Sequence, residues 1–352
     1  MKPYFSIIVP YHNSFQTIGP LLDSVLQSKS VPPLEVLIVD DGSEERITDK
    51  RLKMKDVSSV KVRIVRLQKN KGPAVARNTG AAAAKGKFLV FLDSDIVLFP
   101  DALHNLWQIY KEDPDIVAVT GVWVKEQKTG NFFPNFKALR DWSYWINERD
   151  KSGYYYLFST RIASIKRAVF QRLKGFDEKY AGPLVEDIEF TYRIARRYAI
   201  IFAPNVRVHH EFEEFWPIAK KYFWRAFYWE KLYERRKKFD PVATTKNEAV
   251  TALSGVATAG MFVLYLFIAG MAGLFGFSLV SVNTVAQMVL QGFVVFLVLH
   301  IILVRQFMLF VYKERGFIFA VKSFFVGIIL YCFISAGALW AKFSFNSFKA
   351  KP

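Results

Sequence analysis

The sequence has a single cysteine, Cys332, among 352 residues, so no disulfide can form within the chain. Cysteine usage therefore gives no indication of an oxidising compartment. The N-terminal segment MKPYFSIIVPYHNS has an apolar run too short for a signal peptide and lacks a small-residue cleavage site. The segment is typical of a buried strand instead, and we expect the N-terminal domain to stay in the cytosol.

Acidic residues are also in short supply, with 31 Asp and Glu against 48 Lys and Arg, for a net charge of +17. This excess favours an acidic partner, and nucleic acid, anionic lipid headgroups and phosphorylated substrates all meet that description. Much of the basic charge lies next to the apolar C-terminal third of the chain. We therefore expect a membrane and a phosphorylated substrate as partners, and no nucleic acid.

Charged residues become rare after about residue 247, where three apolar stretches cover roughly 249–275, 284–311 and 317–341. Each stretch reaches the ~20 residues that a helix needs to cross the hydrocarbon core. We predict about three transmembrane helices within 247–345, with two or four as alternatives. The charged turn at 313–315 would lie in the cytosol, as the positive-inside rule expects, but the C-terminal lysines would then lie outside, in mild conflict with it.

Residues 213–238 combine aromatic residues at helical spacing with many lysines and arginines. This pattern is typical of a helix that lies in the headgroup region of a membrane. The alternative is a helix packed on the protein with a solvated basic face. We predict an amphipathic interfacial helix and linker over 213–246, and a separate N-terminal domain over 1–212.

The first 100 residues alternate between apolar, β-rich runs and helical runs. We predict strands at FSIIVPY, at LEVLIVDDGS, which ends in a turn, at VKVRIVRL and at KFLVFLDSD. Helices are predicted at TIGPLLDSVLQS and GPAVARNTGAAAAKG. Such alternation predicts an α/β domain with a Rossmann-like, mostly parallel sheet buried on both faces. Ligands of these sheets bind at the carboxyl ends of the strands, and Asp40-Asp41 and Asp93-Ser94-Asp95 both fall there.

The Asp93-Ser94-Asp95 motif has the chemistry needed to transfer a sugar from a nucleotide diphosphate. The departing diphosphate gains negative charge, which Mg²⁺ or Mn²⁺ held by a carboxylate stabilises. One carboxylate can hold the metal while the other orients the ribose. The D-x-D pattern alone is common in loops, but its position directly after FLVFL favours a functional site.

Taken together, the motifs SIIVPYHN, LIVDDGS, NKGPAVARNTGAAAAKGKFLVFLDSD, GFDEKY, VEDIEFTYR and PNVRVHH occur in the order found in family 2 glycosyltransferases. The chain resembles that family over roughly residues 4–212. The resemblance implies the GT-A fold, a nucleotide-sugar donor that is most often a UDP-sugar, and a divalent metal.

On the donor side, the resemblance implies that Asp41 contacts the base, with Pro10 and His12 lining its pocket and Asp40 a weaker candidate. The alternative for the two aspartates is an Asx turn that caps the strand. Arg77 can pair with the D-x-D carboxylates or the diphosphate, or hold its helix in place. Further candidates for binding the nucleotide sugar are Asn70, Gly72, Asp93, Ser94 and Arg225.

The family's metal is usually held by the second Asp of D-x-D and often by a histidine near the end of the domain. These positions correspond to Asp95 and His210, with Asp93 and His209 as lesser candidates. A histidine so close to the domain end can equally be an exposed polar residue.

The Glu186-Asp187 pair resembles the family's E-D motif, whose aspartate acts as the general base, so Asp187 is the catalytic candidate and Glu186 shapes the acceptor side. Both acids also suit a helix N-terminus, where the dipole favours them. A phosphate acceptor needs no base, so the pair points to a hydroxyl on a lipid or lipid-linked saccharide.

We therefore predict a membrane-anchored, metal-dependent inverting glycosyltransferase of glycan or glycolipid biosynthesis, of the hexosyltransferase type. The alternatives are transfer to a polyprenyl phosphate and, in a different class, a non-catalytic membrane adaptor on a glycosyltransferase scaffold. The Q-x-x-R-W motif of processive synthases is absent in standard form, although Trp224-Arg225 falls near its place.

Overall fold

The computed structural model describes residues 2–45, 47, 60–148, 156–180, 182, 184–237, 246–275 and 280–344. The described residues form two compact units, which meet in sequence between Phe212 and Glu213. Lys238, at the end of the predicted basic helix, and the rest of the linker up to residue 245 lie outside the described residues.

The first unit is an α/β domain built on one sheet. Its strands are β1 (Phe5–Tyr11), β2 (Leu34–Asp40), β3 (Lys61–Arg66), β4 (Phe88–Leu92), β5 (Ile96–Leu98), β6 (Ala118–Trp123), β7 (Ile162–Lys166) and β8 (Ile200–His210). Its helices are α1 (Phe15–Leu26), α2 (Pro73–Ala83), α3 (Ala102–Glu112), α4 (Phe132–Ser143), α5 (Arg167–Arg172) and α6 (Glu186–Ala195), with a π-helical turn at Tyr144–Glu148 after α4.

The strands lie in the order β3-β2-β1-β4-β7-β6-β8-β5. The four strands β3, β2, β1 and β4 are mutually parallel, as the βαβ pattern predicted. Strand β7 runs antiparallel to both β4 and β6, and β5 runs antiparallel to β8. These antiparallel strands were not predicted, because short apolar runs do not reveal the direction in which they pair.

The sheet is buried on both of its faces. Every residue of β2, β4 and β6 is buried, which is the pattern of strands covered by helices on both sides. Phe5, Val36 and Val90 belong to the hydrophobic core on one face, while Ile8 and Leu89 belong to the core on the other. The predicted α/β architecture is therefore confirmed.

The second unit is helical, with α7 (Phe215–Arg236), α8 (Lys246–Phe275), α9 (Val280–Arg315) and α10 (Phe317–Phe343). Three segments within the described residues are long and apolar enough to cross a membrane: Asn247–Met271, Thr284–Arg315 and Phe317–Phe343. They correspond to the three apolar stretches of the sequence.

Helix α7 packs closely along the C-terminal half of α10. A Cβ atom built on Gly337 would lie 2.1 Å from the carbonyl oxygen of Phe223, so the two backbones touch at this glycine. The rings of Phe215 and Phe333 lie 6.1 Å apart, centroid to centroid. One side of α7 is therefore covered by α10, whereas Trp216 is 72% exposed. The placement of this helix in the headgroup region stays a prediction.

Candidate active site

The D-x-D motif forms the short connection between β4 and β5. Asp93 follows Leu92, the last residue of β4, and Asp95 precedes Ile96, the first residue of β5. Strand β4 is fully buried, whereas the Asp95 side chain is 50% exposed. The Asp95 carboxylate therefore lies at an accessible edge of the sheet, just beyond the C-terminal end of the buried strand β4.

His210 lies beside Asp95 because β5 and β8 pair. Ile96 is the register partner of His210, which leaves His210 Nε2 3.5 Å from Asp95 Oδ2. Burial alone would raise the pKa of Asp95, but the hydrogen bond and charge of His210, together with the charge of Arg161, lower it to about 2. Neighbouring residues on a strand alternate in direction, and His209 contacts Glu211 instead, with Nε2 2.6 Å from Oε1.

Arg77 of helix α2 joins the D-x-D motif to the E-D motif. Its Nη2 donates to Asp93 Oδ1 at 2.7 Å, and its Nη1 donates to Glu186 Oε1 at 2.9 Å. Arg77 and Glu186 are both 3% exposed, so this is a buried ion pair. Pairing with a D-x-D carboxylate was one of the predicted roles of Arg77, and Glu186 as a second partner was not predicted.

The E-D motif occupies the first turn of α6. Glu186 Oε2 accepts the backbone N–H of Leu184 at 2.9 Å, and Asp187 Oδ1 accepts that of Ile188 at 2.8 Å. Burial and the negative charge of Asp187 raise the pKa of Glu186, against the lowering effect of Arg77. The two acids therefore have different environments: Glu186 is bound to Arg77, and Asp187 sits at the helix N-terminus, where the dipole stabilises its charge.

The Asn78 side chain, next to Arg77, holds the GFDE turn on α2. Its Nδ2 donates to the Phe176 carbonyl oxygen at 2.9 Å, and its Oδ1 accepts the Phe176 N–H at 2.9 Å. Nδ2 also lies 3.0 Å from Glu178 Oε1. The turn after residue 174 is thereby fixed to the same helix that positions both acidic motifs.

The two aspartates of the DDGS turn have different hydrogen bonds. Asp40 accepts the N–H of Ser43 at 2.9 Å and pairs with Arg66. The Ser43 bond spans three residues, one more than the predicted Asx turn. Asp41 accepts the backbone N–H groups of Lys71 and Gly72, both at 2.8 Å. Burial raises the pKa of Asp41 against the effect of these bonds.

The loop at residues 69–72 thus lies against the DDGS turn. Gly72 has a φ of 91°, a conformation that favours glycine, and its N–H also lies 3.0 Å from Asn70 Oδ1. Gly42 has a φ of 67°, and a Cβ there would lie 2.4 Å from the carbonyl carbon of Lys69. Asn70 and Gly72 were predicted near the donor, and the structure brings both next to Asp41.

Pro10 and His12 lie near the same turn. Pro10 is the register partner of Val39 in β2, and the exposed His12 has its Nδ1 3.0 Å from the carbonyl oxygen of Asp41. Because a carbonyl oxygen only accepts, Nδ1 is the donor in this contact. A pocket for a base at this edge stays a prediction.

The remaining candidates fall in different places. Ser94 is partly exposed between Asp93 and Asp95. Arg225 belongs to α7 in the second compact unit, so its predicted contact with a diphosphate stays a prediction. Arg161, which influences the pKa of Asp95, was missed, because an isolated arginine outside every motif gives no signal in the sequence.

Asp95 and His210 are suited to share a divalent cation. Their facing atoms are a carboxylate oxygen and an imidazole nitrogen, and the buried Nδ1 of His210 has no hydrogen-bond partner in the described structure. Within the described residues, no group of three or more His, Cys, Asp or Glu residues could hold a metal. Mg²⁺ and Mn²⁺ commonly use one or two protein ligands and complete their shell with phosphates and water. The pair therefore fits a metal–nucleotide complex.

Comparison with known proteins finds glycosyltransferases among the relatives of this chain. A protein of Haloferax volcanii described as a glucosyl-dolichyl phosphate glucuronosyltransferase is 25% identical over 238 residues, or 60% of this chain and 71% of that protein. A dodecaprenyl-phosphate galacturonate synthase of Rhizobium johnstonii is 28% identical over 130 residues, 36% of this chain and 38% of that protein. Four other relatives, including the succinoglycan biosynthesis protein ExoO of Rhizobium meliloti, are matched over only 35–47% of their own length.

Among solved structures, a mannosyltransferase from Pyrobaculum calidifontis in complex with GDP-Man and Mn²⁺ superimposes with a TM-score of 0.59 at 19% identity. The superposition covers 98% of this chain and 89% of that chain, and shows that the N-terminal domain has the GT-A fold. The family model for glycosyl transferase family 2 matches residues 6–240, more than half of the chain, and the protein belongs to that family.

Proposed function

We propose that the protein is a membrane-anchored, metal-dependent, inverting glycosyltransferase. It would move a sugar from a nucleotide-diphosphate sugar to a hydroxyl of a lipid or lipid-linked saccharide. The observation that carries this proposal is the Arg77 bridge, because it holds Glu186 of the E-D motif and Asp93 of the D-x-D motif on one guanidinium group. This contact supports the proposal, because it joins the motif proposed to bind the donor to the motif proposed to serve the acceptor.

In the proposed reaction, Asp187 takes the proton of the acceptor hydroxyl while the hydroxyl oxygen bonds to the anomeric carbon of the sugar. The bond from that carbon to the diphosphate oxygen breaks, and the nucleoside diphosphate leaves with the electron pair. Attack opposite the leaving group inverts the anomeric centre. Glu186 does not act as the general base in this reaction, because its Oε1 is paired with Arg77 and its Oε2 accepts the N–H of Leu184.

Asp95 and His210 would hold the divalent metal. When bound, the cation stabilises the negative charge that grows on the departing diphosphate. The nitrogen ligand favours Mn²⁺ over Mg²⁺, since Mg²⁺ takes oxygen ligands almost exclusively. The Asp41 carboxylate is held by the loop at 69–72. Asp41 would contact the nucleotide base of the donor at this edge of the sheet.

The acceptor is proposed to be a hydroxyl for a chemical reason. A phosphate acceptor is already ionised and needs no base, so the E-D pair would have no role there. The Haloferax relative is named for a glucosyl-dolichyl phosphate, a lipid-linked sugar, which supports this choice. The Rhizobium relative is named for a dodecaprenyl phosphate, so transfer to a polyprenyl phosphate is the second candidate. In either case, the apolar helices of the second unit would hold the enzyme at the cytoplasmic face of the membrane.

The test is a screen of nucleotide sugars with the full chain in lipid nanodiscs, measuring release of nucleoside diphosphate with and without Mn²⁺. Asp187→Asn should lower turnover by about 10²–10⁴-fold, the usual contribution of a general base. Glu189→Gln is the matched control, because Glu189 lies in the same helical turn but is paired with Arg193.

Near-normal turnover in Asp187→Asn with a polyprenyl phosphate would favour the second candidate. If the wild-type chain neither binds nor turns over any donor in the presence of Mn²⁺, the enzyme proposal is wrong and the adaptor alternative gains support.

A further inference from the structure

Arg161 lies at the same sheet edge as the proposed metal site. It immediately precedes Ile162, the first residue of β7, and Ile162 is the register partner of Leu92, the last residue of β4. Because β7 runs antiparallel to β4, the start of β7 meets the point where the chain turns into the D-x-D motif. The pairing therefore places Arg161 next to the motif, although about 70 residues of sequence separate them.

The guanidinium of Arg161 is held by aromatic rings. Its central carbon lies 4.4 Å from the ring centroid of Trp123 and 5.6 Å from that of Phe212. The ring of Phe212 in turn contacts that of His210, with centroids 4.7 Å apart. A flat guanidinium stacked in this way keeps its N–H groups directed outward from the rings and available for hydrogen bonding.

Arg161 and its neighbour Trp123 have hydrogen-bond donors without acceptors in the described part of the chain. In the described part of the chain, Arg161 has neither a hydrogen bond nor an ion pair, and Trp123 Nε1, which is buried, has no partner either. Lys137 makes a useful contrast, because its ammonium also lies over the Phe212 ring but is paired with Asp141. An arginine has five N–H donors and no acceptor, and Arg161 is only half-buried, so its donors are accessible to an anionic ligand.

We propose that Arg161 is a phosphate-binding residue beside the metal site, which grips either the diphosphate of the donor or the phosphate of a lipid-linked acceptor. This inference rests on the proposed function, since both phosphates belong to its substrates. The planar guanidinium of arginine is suited to bind two phosphate oxygens at once through two parallel N–H···O hydrogen bonds. Packing alone does not explain the position, because a cation used only for stacking on an aromatic ring has no need to lie beside Asp95 and His210.

Two variants test the proposal with the full chain in detergent micelles. Arg161→Met keeps the length of the side chain and its stacking but removes the charge and donors, whereas Arg161→Lys keeps only a point charge. Arg172→Met is the matched control, because Arg172 also stacks on an aromatic ring, that of Tyr198 at 5.4 Å, and lies outside the site. Melting temperatures of all three variants check that they are folded.

Binding is measured calorimetrically with two probes: UDP or GDP in the presence of Mn²⁺, and a polyprenyl phosphate carried in the micelles. We expect Arg161→Met to weaken binding of one probe by about tenfold or more, with partial recovery in Arg161→Lys, as for loss of a charge-assisted hydrogen bond. Weaker nucleotide binding assigns Arg161 to the donor, and weaker lipid binding assigns it to the acceptor.

Unchanged affinity of Arg161→Met for both probes overturns the inference. This outcome is distinct from failure of the proposed function, because the wild-type chain would still turn over a donor in the nanodisc assay. An equal loss of affinity in Arg172→Met would also overturn it, since the effect would then reflect the loss of any stacked arginine.

Discussion

Arg77 Nη1 lies 2.9 Å from Glu186 Oε1, although 109 positions of sequence separate the two residues. The pair is buried, and the other guanidinium nitrogen is bound to Asp93. A single cationic side chain of α2 therefore pairs with a carboxylate of each of two motifs. Removing it would leave the Glu186 carboxylate buried without its cation, which is the most costly way to break an ion pair.

We predict that Arg77→Met lowers the free energy of unfolding by about 3–5 kcal/mol, the usual cost of stranding a buried charge. Chemical denaturation of the full chain in micelles, followed by tryptophan fluorescence, measures the change. The double variant Arg77→Met/Glu186→Gln should recover part of the loss, because the stranded group is then neutral. A double variant that is no more stable than the single one would show that Glu186 is not the main partner of Arg77.

The pairing of His210 with Asp95 leads to a prediction about the metal. His210→Gln should raise the Mn²⁺ concentration needed for half-maximal activity by about tenfold or more, in line with the loss of affinity when a metal site loses a supporting group. Electron paramagnetic resonance of Mn²⁺ mixed with UDP and protein gives a readout that does not depend on turnover.

His209→Gln is the control for this variant, because His209 is the neighbouring residue on β8 but contacts Glu211. If His209→Gln weakens Mn²⁺ binding and His210→Gln does not, the assignment of the histidine ligand is wrong.

Gly42 tests the contact between the DDGS turn and the loop at 69–72. A Cβ at this position would lie 2.4 Å from the carbonyl carbon of Lys69, and its φ of 67° disfavours any other residue. Gly42→Ala should push the loop away from Asp41 and raise KM for the donor by about tenfold, equivalent to about 1.4 kcal/mol. Initial-rate kinetics over a range of donor concentrations measure it.

Gly19→Ala provides the comparison, because a Cβ at Gly19 would meet no atom within 4 Å and the residue lies inside α1. That variant should keep the wild-type KM and gain about 0.4–1 kcal/mol of stability from a less flexible unfolded chain. An unchanged KM in Gly42→Ala would mean that the loop does not help to bind the donor.

Sequence patterns predicted the parallel half of the sheet because its apolar strands end in recognisable turns. Asp41 and Asp95 fall at strand ends for that reason, and their position follows from local sequence alone. The bridge from Arg77 to Glu186 and the contact of Arg161 with Trp123 depend on how distant strands and helices pack. Strand β7 is inserted between β4 and β6, and nothing in its five residues specifies that direction or those neighbours.

The buried Glu35 of β2 gives a prediction about pH and stability. Its carboxylate accepts hydrogen bonds from Ser6 Oγ at 2.7 Å, the Lys85 N–H at 2.6 Å and Arg63 Nη2 at 2.8 Å. Burial alone would raise the pKa of Glu35, but these bonds and the charge of Arg63 outweigh it and lower the pKa. The network ties β1, β2 and β3 to the end of α2, the helix that carries Arg77.

A pKa that is lower in the folded chain than in the unfolded chain stabilises the fold when the carboxylate is ionised. This stabilisation is fully present above about pH 4.3, the ordinary pKa of a glutamate, and is lost as the pH falls through the lower folded value. Glu35→Gln should therefore be less stable than wild type at pH 7, and the difference should shrink as the solution is acidified below about pH 4.3.

Thermal unfolding of both proteins in micelles between neutral and acidic pH tests this prediction. Glu44→Gln is a suitable control, because Glu44 is exposed and its side chain takes no part in the network of Glu35. A stability difference between wild type and Glu35→Gln that stays constant, or grows, on acidification would show that the ionised Glu35 carboxylate does not stabilise the sheet.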